Sequence, residues 1–263
     1  CNFQKKLYNK FMTKSFVHLH AHTEYSMLDG AAKIVDYLKK VKELNQPAAA
    51  ITDHGNLYGA MEFVQKANDL GIKPIIGYEA YITPGSRFDR PDRENNKRYH
   101  LTLLAENNIG YQNLVELVSK AYTEGYYYKP RIDYELLDQH HDGLIALSGC
   151  LGGELAQHLA PDGSVEEGNT SNERSFEKAL DIAKKYQSIF GKENYFIEIH
   201  NHGIKQQLDI LDDLVEIAEL IDAPLVAAND SHYVEKNGAE AHDALLCVQT
   251  NRTLDDESRF RFD

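Results

Sequence analysis

The chain has 263 residues, 42% of them hydrophobic, with 28 basic against 41 acidic side chains and a net charge of −13. That length supports a sizeable core, arranged as one large α/β barrel or two smaller domains. The acidic balance excludes strong gripping of duplex DNA by this chain alone, because phosphate binding needs compensating Lys and Arg. It leaves room for an ion-filled cleft that receives one phosphate, since bound divalent ions invert the local field.

Residues 1–14 read as an extension or cloning remnant, with Met12 a candidate start. No apolar stretch follows Lys5, Lys6 and Lys10, so no signal peptide is expected. The first apolar run, FVHLHAH (16–22), sets His18, His20 and His22 on alternate positions. A strand there would project all three from one face. A stripe of imidazoles is a poor hydrophobic face and a good start for a metal site. Asp29 follows seven residues after His22, in the next loop.

AKIVDYLKKVKEL then places Ile34, Val35, Leu38, Val41 and Leu44 on one helical stripe. The second strand, AAAITDHG (48–55), carries His54 near its end. LYGAMEFVQKANDLG is a helix stopped by Gly71. The third strand, KPIIGYEAYI (73–82), carries Glu79, and TPGSRFDRPDRENNKR (83–98) reads as an exposed loop. The fourth, YHLTLLAE (99–106), begins with His100, and the helix NIGYQNLVELVSKAY follows. The fifth, GLIALSGC (143–150), ends on Cys150, ahead of a second exposed loop, APDGSVEEGNTSNER (160–174). After the helix SFEKALDIAKKYQSIFG come the sixth strand, YFIEIHNH (195–202), the helix LDILDDLVEIAELI, and the seventh strand, PLVAANDSH (224–232), bearing Asp230 and His232.

Strands alternating with helices predict parallel βαβ units. Seven of them in one unit favour a closed or nearly closed barrel over an open sheet, with a single domain over 15–263. No run of the roughly 18 apolar residues that a spanning helix needs is present, so no membrane partner is expected. Cys1, Cys150 and Cys247 are scattered and odd in number, which points to a reducing cytoplasm and no disulfide framework.

In a parallel barrel the C-terminal strand ends converge on one mouth, where active sites sit. His20, His22, Asp29, His54, Glu79, His100, Cys150, Asp230 and His232 fall near those ends. Nine such N, O and S groups exceed the need of one ion and supply about three, with positions left open. Imidazole mixed with carboxylate suits Zn²⁺, Mn²⁺ or Fe²⁺, and the thiolate tilts one position towards Zn²⁺. Taken alone, Cys150 would read as a small buried hydrophobe, and His140, His141, His158 and His242 as surface or hydrogen-bonded residues. His18 is expected to sit deeper in the barrel, as a packing residue or a support for the ligands.

The stretches HLHAHTEYSMLDGAAKI, ITDHGNLYGAMEFVQKANDLGIKPIIGYEAYITPG, YHLTLLAENNIGYQNLVELVS, YYYKPRID, SGCLGGE and NDSHYV closely resemble the PHP (polymerase and histidinol phosphatase) domain. The nearest likeness is to the N-terminal PHP domain of bacterial C-family replicative polymerases, the DNA polymerase III alpha subunits. The resemblance implies a distorted seven-stranded (β/α)7 barrel with a trinuclear metal site at the strand ends. It implies one ion among His20, His22, Glu79 and Asp230, a second among Glu79, His100 and Cys150 with Glu79 bridging, and a third among Asp29, His54 and His232. With a candidate at all nine positions, it implies an active member, a 3′→5′ exonuclease that proofreads new DNA in the bacterial cytoplasm. The remainder of a polymerase chain and replisome subunits would be its partners. The likeness runs to the last residue, where the family continues into palm, thumb and fingers. The paired aspartates of the palm motif have no counterpart, so the chain reads as a fragment that does not polymerise.

For phosphodiester hydrolysis, ion-activated water serves as nucleophile, with Glu79 linking two ions and Asp230 a candidate proton acceptor. Arg87, Arg90, Arg93, Lys97 and Arg98 share one loop beside the expected mouth and could steer DNA. Asp89, Asp92 and Glu94 interleave with them, so a solvated loop reads equally well. YYYKPRID sets tyrosines beside Lys129 and Arg131, which suits single strands, although tyrosines packing the barrel rim fit as well. Two alternatives stand beside the exonuclease: a phosphomonoesterase of the histidinol-phosphatase type, and a non-enzymatic domain that stabilises or docks a polymerase.

Overall fold

The structure, a computed structural model, describes residues 16–92, 95–161, 173–257 and 259. The expected extension at 1–14, Arg93, and most of the loop at 160–174 lie outside the described residues. In chain order the elements are α1 (Ile34–Glu43), β1 (Ala48–Ile51), α2 (Ala60–Leu70), β2 (Lys73–Ile82), β3 (Tyr99–Ala105), α3 (Asn108–Thr123), β4 (Arg131–Ile132) and α4 (Tyr134–Gln139). There follow β5 (Leu144–Leu147), α5 (Glu154–Leu159), α6 (Phe176–Phe190), β6 (Tyr195–Ile199), α7 (Lys205–Asp209), α8 (Leu211–Ile221), β7 (Leu225–Ala227) and α9 (Ala239–Thr250).

The seven strands form one curled sheet in the order β1-β2-β3-β5-β6-β7, with the short β4 pairing β2 beyond β1. The pairs β1–β2, β5–β6 and β6–β7 are parallel. β3 runs antiparallel to both β2 and β5, which corrects the expectation of parallel units throughout. The cause is local. The described residues of the 83–98 connection contain no crossover helix, and without one the chain returns alongside the strand it has just left. This reversal has a consequence for chemistry. His100 opens its strand, yet it lies at the same mouth as the ends of the parallel strands.

The histidine-rich first segment is in strand position without a regular ladder. The carbonyl of His18 accepts from Ala50 N and that of Ala21 from Thr52 N, on the β1 side. On the other side His22 N donates to the Ser231 carbonyl, and Ser231 N to that of His20. The segment therefore bridges the two edges of the sheet and closes the barrel irregularly. Its alternation breaks at Leu19, which packs with the interior residues Ala50, Leu104 and Leu147. His18 is displaced to the outer layer, 6.4 Å from the Tyr37 ring on α1, rather than deeper in the barrel.

Packing divides into an outer shell and a barrel floor. Outside, α1 contributes Ile34, Tyr37, Leu38 and Val41 against Ala49 and Ile51 of β1 and Phe63 and Ala67 of α2. Val35 and Leu44, expected on the buried stripe, are exposed, because Ile34 and its i+4 and i+7 neighbours already define the inward face. Local chemistry sets the helix ends. Asn107 accepts from Ile109 N and Gly110 N ahead of α3, and Gly71 closes α2 in the left-handed region, as its position predicts. Inside, Leu19, Ala50, Ile75, Leu104, Ile145, Leu147, Phe196 and Val226 fill the floor. Along β3 the inward side changes from Leu104 to Thr102 to His100, and along β2 Glu79 pairs opposite Thr102. The barrel is therefore apolar at its base and polar at its mouth.

Candidate metal centre

All nine residues singled out from the sequence meet at that mouth. Glu79 is fully buried at the centre. Its Oε1 lies 3.4 Å from His20 Nε2 and 3.2 Å from His100 Nδ1, and its Oε2 lies 3.3 Å from His22 Nε2 and 2.8 Å from His54 Nδ1. Cys150 Sγ is 3.7 Å from Glu79 Oε1 and 3.9 Å from His100 Nδ1. Asp230 Oδ1 stands 3.3 Å from His20 Nε2 and 3.1 Å from His22 Nε2. Asp29 Oδ2 is 3.1 Å from His232 Nε2 and 3.4 Å from His54 Nε2.

Local backbone places these groups. Gly30 follows Asp29 so closely over Thr23 that a Cβ there would collide with the Thr23 carbonyl oxygen. Gly152 lets the loop after Cys150 lie against the His100 ring, where a Cβ would fall 2.6 Å from Nδ1. Asp230 has φ +45°, a left-handed conformation that costs a non-glycine residue energy and that carboxamide and carboxylate side chains tolerate best.

Three histidines are oriented by hydrogen bonds at Nδ1. His20 Nδ1 binds Glu198 Oε1 at 2.8 Å, His22 Nδ1 binds Ser26 Oγ at 2.8 Å, and His232 Nδ1 donates to the Asp230 carbonyl at 2.8 Å. Ser26 Oγ in turn lies 3.2 Å from Asp53 Oδ1, a buried carboxylate that also accepts from Thr23 N. Each arrangement leaves Nε2 with its lone pair aimed at the cluster, the usual second layer around metal-ligating histidines. His20 Nε2, His22 Nε2, His54 Nδ1, Glu79 Oε2, Asp29 Oδ2 and Asp230 Oδ1 are buried and make no well-formed hydrogen bond within the protein, although several lie within ion-pair distance of each other. Groups that crowd together without pointing at one another are pointing at common centres between them. That donor set fits divalent ions. Among the described residues, four His/Asp/Glu groupings have ligand atoms close enough to hold one: His22, Asp29, His54 and His232; His20, His22 and Asp230; His54, Glu79 and His100; and His20, Glu198 and His200.

The electrostatics agree. Burial opposes ionisation of Glu79, but His100, His54 and His20 outweigh it and hold the carboxyl well below its usual range. Asp230 is lowered similarly, against burial, by His20, His232 and His22. In return His22 is raised to about 10, because the Asp230 and Glu79 carboxylates beside its Nε2 overcome the effect of burial. Burial, with Asp230 and Glu79 nearby, pushes the Cys150 thiol up. Without ions, protons on histidine neutralise the buried carboxylates.

The proposed DNA contacts divide. Arg87 is buried, with its guanidinium on Asp133 and Glu124. Arg131 is fully buried and is taken up by the carbonyls of Gly125, Arg87 and Asp89 and by Asn96 Oδ1. Both guanidiniums bind the 83–98 loop to the barrel and are turned away from solvent, which corrects the reading of them as strand contacts. Arg98 is buried as well. Arg90 is exposed and Lys97 half-buried. Lys129 Nζ stands 3.2 Å from Tyr81 OH, and the Tyr81 ring stacks 5.6 Å from that of His54. Tyr126 and Tyr128 are exposed nearby in sequence. His242 is buried and binds the Asp29 carbonyl.

Two functional-looking residues escaped the sequence reading. Glu198 and His200 alternate along β6 and its end, on the inward side, and both are buried beside His20. The available signal was a charged residue interrupting the apolar run YFIEI at period two from a histidine.

Comparison with known proteins adds a family. A family model described as the PHP domain matches residues 18–202. The chain is 50% identical over 255 residues to the DNA polymerase III subunit alpha of Thermus aquaticus, covering 94% of this chain and 20% of that protein. It is 49% identical over 257 residues to the subunit of the same name from Deinococcus radiodurans, covering 95% of this chain and 18% of that protein. The chain thus spans about a fifth of the length of these relatives. Among solved structures, one from Bifidobacterium adolescentis assigned as a metal-dependent phosphoesterase matches with a TM-score of 0.51 at 14% identity, over 85% of this chain and 90% of that one. At that identity the likeness speaks for the fold.

Proposed function

The chain belongs to the PHP domain family, and from that premise we propose that its barrel mouth is a trinuclear metal centre that hydrolyses DNA phosphodiesters from the 3′ end. His20, His22, Glu79 and Asp230 would hold one ion, Glu79, His100 and Cys150 a second, and Asp29, His54 and His232 the third. The set suits Zn²⁺, Mn²⁺ or Fe²⁺. Bound there, such ions supply a nucleophilic water near neutral pH and charge stabilisation for the phosphoryl oxygens. The supporting observation is the set of buried ligand atoms that crowd around Glu79 without hydrogen-bonding one another.

The protein's own groups would do the rest. Glu79 carries the charge shared between two ions. Asp230, whose Oδ1 lies buried beside His20 and His22, would take up a proton released in the hydrolysis. Lys129 and Arg90, with Lys97, would meet backbone phosphates, and Tyr126 and Tyr128 would stack on unpaired bases. The 3′ end of a primer is the substrate. The chain would act as the PHP part of a bacterial, cytoplasmic DNA polymerase III alpha subunit, with the rest of that chain and its replisome delivering the strand.

Fraying a matched terminus costs about 1.4 kcal/mol per base-pair step, which a mismatch has already lost. Trimming by the metal-loaded chain should therefore be roughly tenfold faster on mismatched or single-stranded ends than on matched ones. Chelator should abolish it. Equal rates on matched and mismatched ends would remove the proofreading role. Phosphate release from histidinol phosphate with no cut in DNA would move the assignment to a phosphomonoesterase, and neither activity in the metal-loaded protein would leave a docking domain.

A further inference from the structure

Glu198 stands outside the nine residues of the proposed centre, yet it touches two parts of it. It is fully buried on β6. Its Oε1 lies 2.8 Å from His20 Nδ1 and 3.1 Å from His200 Nε2. Its Oε2 accepts the backbone N–H of Gly149 at 3.1 Å, the residue before Cys150. Its own N–H donates to Ser148 Oγ at 2.9 Å. The inward neighbour below it on the same strand, Phe196, belongs to the apolar floor, as does Val226, so the fold alone gives no reason for a carboxylate here. Burying one is costly unless its contacts are specific.

We propose that Glu198 is a positioning residue that couples two ion sites, fixing the His20 ring for one and the Gly149–Cys150 turn for the other. This rests on the metal-centre reading above. A carboxylate accepts hydrogen bonds on both oxygens, whereas a carboxamide accepts on only one. Glu198→Gln, nearly the same in shape, therefore must give up one contact. With its oxygen towards His20, the Gly149 N–H loses its acceptor and the thiol-bearing turn loosens. With its oxygen towards Gly149, the amide N–H₂ faces His20 Nδ1. That favours the tautomer protonated at Nε2, which cannot ligate an ion.

The test is cobalt binding by the metal-free chain, followed by the visible bands and the thiolate-to-cobalt charge-transfer band. Far-UV circular dichroism and urea melts report folding. Ile217→Val, in the outer core on α8, serves as a destabilised control that leaves the mouth intact. Glu198→Gln should stay folded, bind at least one ion about 10- to 100-fold more weakly, and weaken or shift the charge-transfer band. Ile217→Val should bind as the wild type does. If Glu198→Gln fails to fold, Glu198→Asp, which keeps the charge but cannot span both contacts, should show the same loss. Wild-type affinities and band in a folded Glu198 variant would overturn the proposal, as would an equal loss in Ile217→Val. Failure of the wild-type chain to take up cobalt would overturn the metal-centre reading itself, and it is seen before any variant is made.

Discussion

Replacing Glu79 by Gln removes the one negative charge that four histidines and Cys150 share. At the separations of 3.2–3.4 Å from His100, His20 and His22, a pair of unit charges interacts by about 5 kcal/mol at an effective dielectric of about 20. Divalent ions raise that figure, and relief from burying the carboxylate lowers it. A net loss of about 3–5 kcal/mol is the expected scale for removing one partner from a buried charge pair. That corresponds to roughly two to four powers of ten in ion affinity, spread over the two ions that Glu79 would serve. Competition titrations with a chromophoric chelator measure this directly, and hydrolysis of a single-stranded primer should nearly vanish in parallel. Folding should survive, because Gln fills the same volume and the histidines can shed their protons once the carboxylate is gone. Ion affinities in folded Glu79→Gln within threefold of wild type would refute the bridging role and the reasoning built on it.

His18→Asn should cost about 1 kcal/mol of stability in a urea melt while leaving metal content unchanged, because His18 packs on the outer layer near Tyr37; lost metal with unchanged stability would reverse that assignment. The metal-free protein should lose stability as pH rises from 7 towards 10. His22 is raised from 6.5 to about 10 by Asp230 and Glu79 against burial, so its contribution is complete below pH 6.5 and disappears as pH passes through about 10. Thermal melts of chelated and metal-loaded protein should diverge over that window, with the loaded form holding its Tm. The same protons must leave before ions bind, so calorimetry at pH 7 in buffers of different ionisation enthalpy should find proton release on metal uptake.

The cluster at the mouth was legible because most of its members are polar groups interrupting apolar runs near strand ends, and the barrel brings such ends together. Glu198 was passed over because a single Glu in YFIEI gains meaning only from His20, which is 178 residues away in sequence. In the sequence Arg87, in a charged loop, and Arg131, beside a run of tyrosines, look like candidate DNA contacts. Their burial depends on Asp133 and on backbone carbonyls that only the folded loop presents. The reversal of β3 was implicit in the Gly-, Pro- and charge-rich 83–98 connection, but strand alternation by itself carries no direction. The outward turn of His18 follows from Leu19 taking the interior place, an irregularity that period-two reasoning does not contain.

Nine side chains gathered at one barrel mouth should hold about three ions. Inductively coupled plasma mass spectrometry of the folded chain, after metal-replete preparation and removal of loosely held metal, tests it most directly. Wild-type protein should carry more than one ion per chain and close to three, falling in Glu79→Gln. One ion or none in wild-type protein would contradict it.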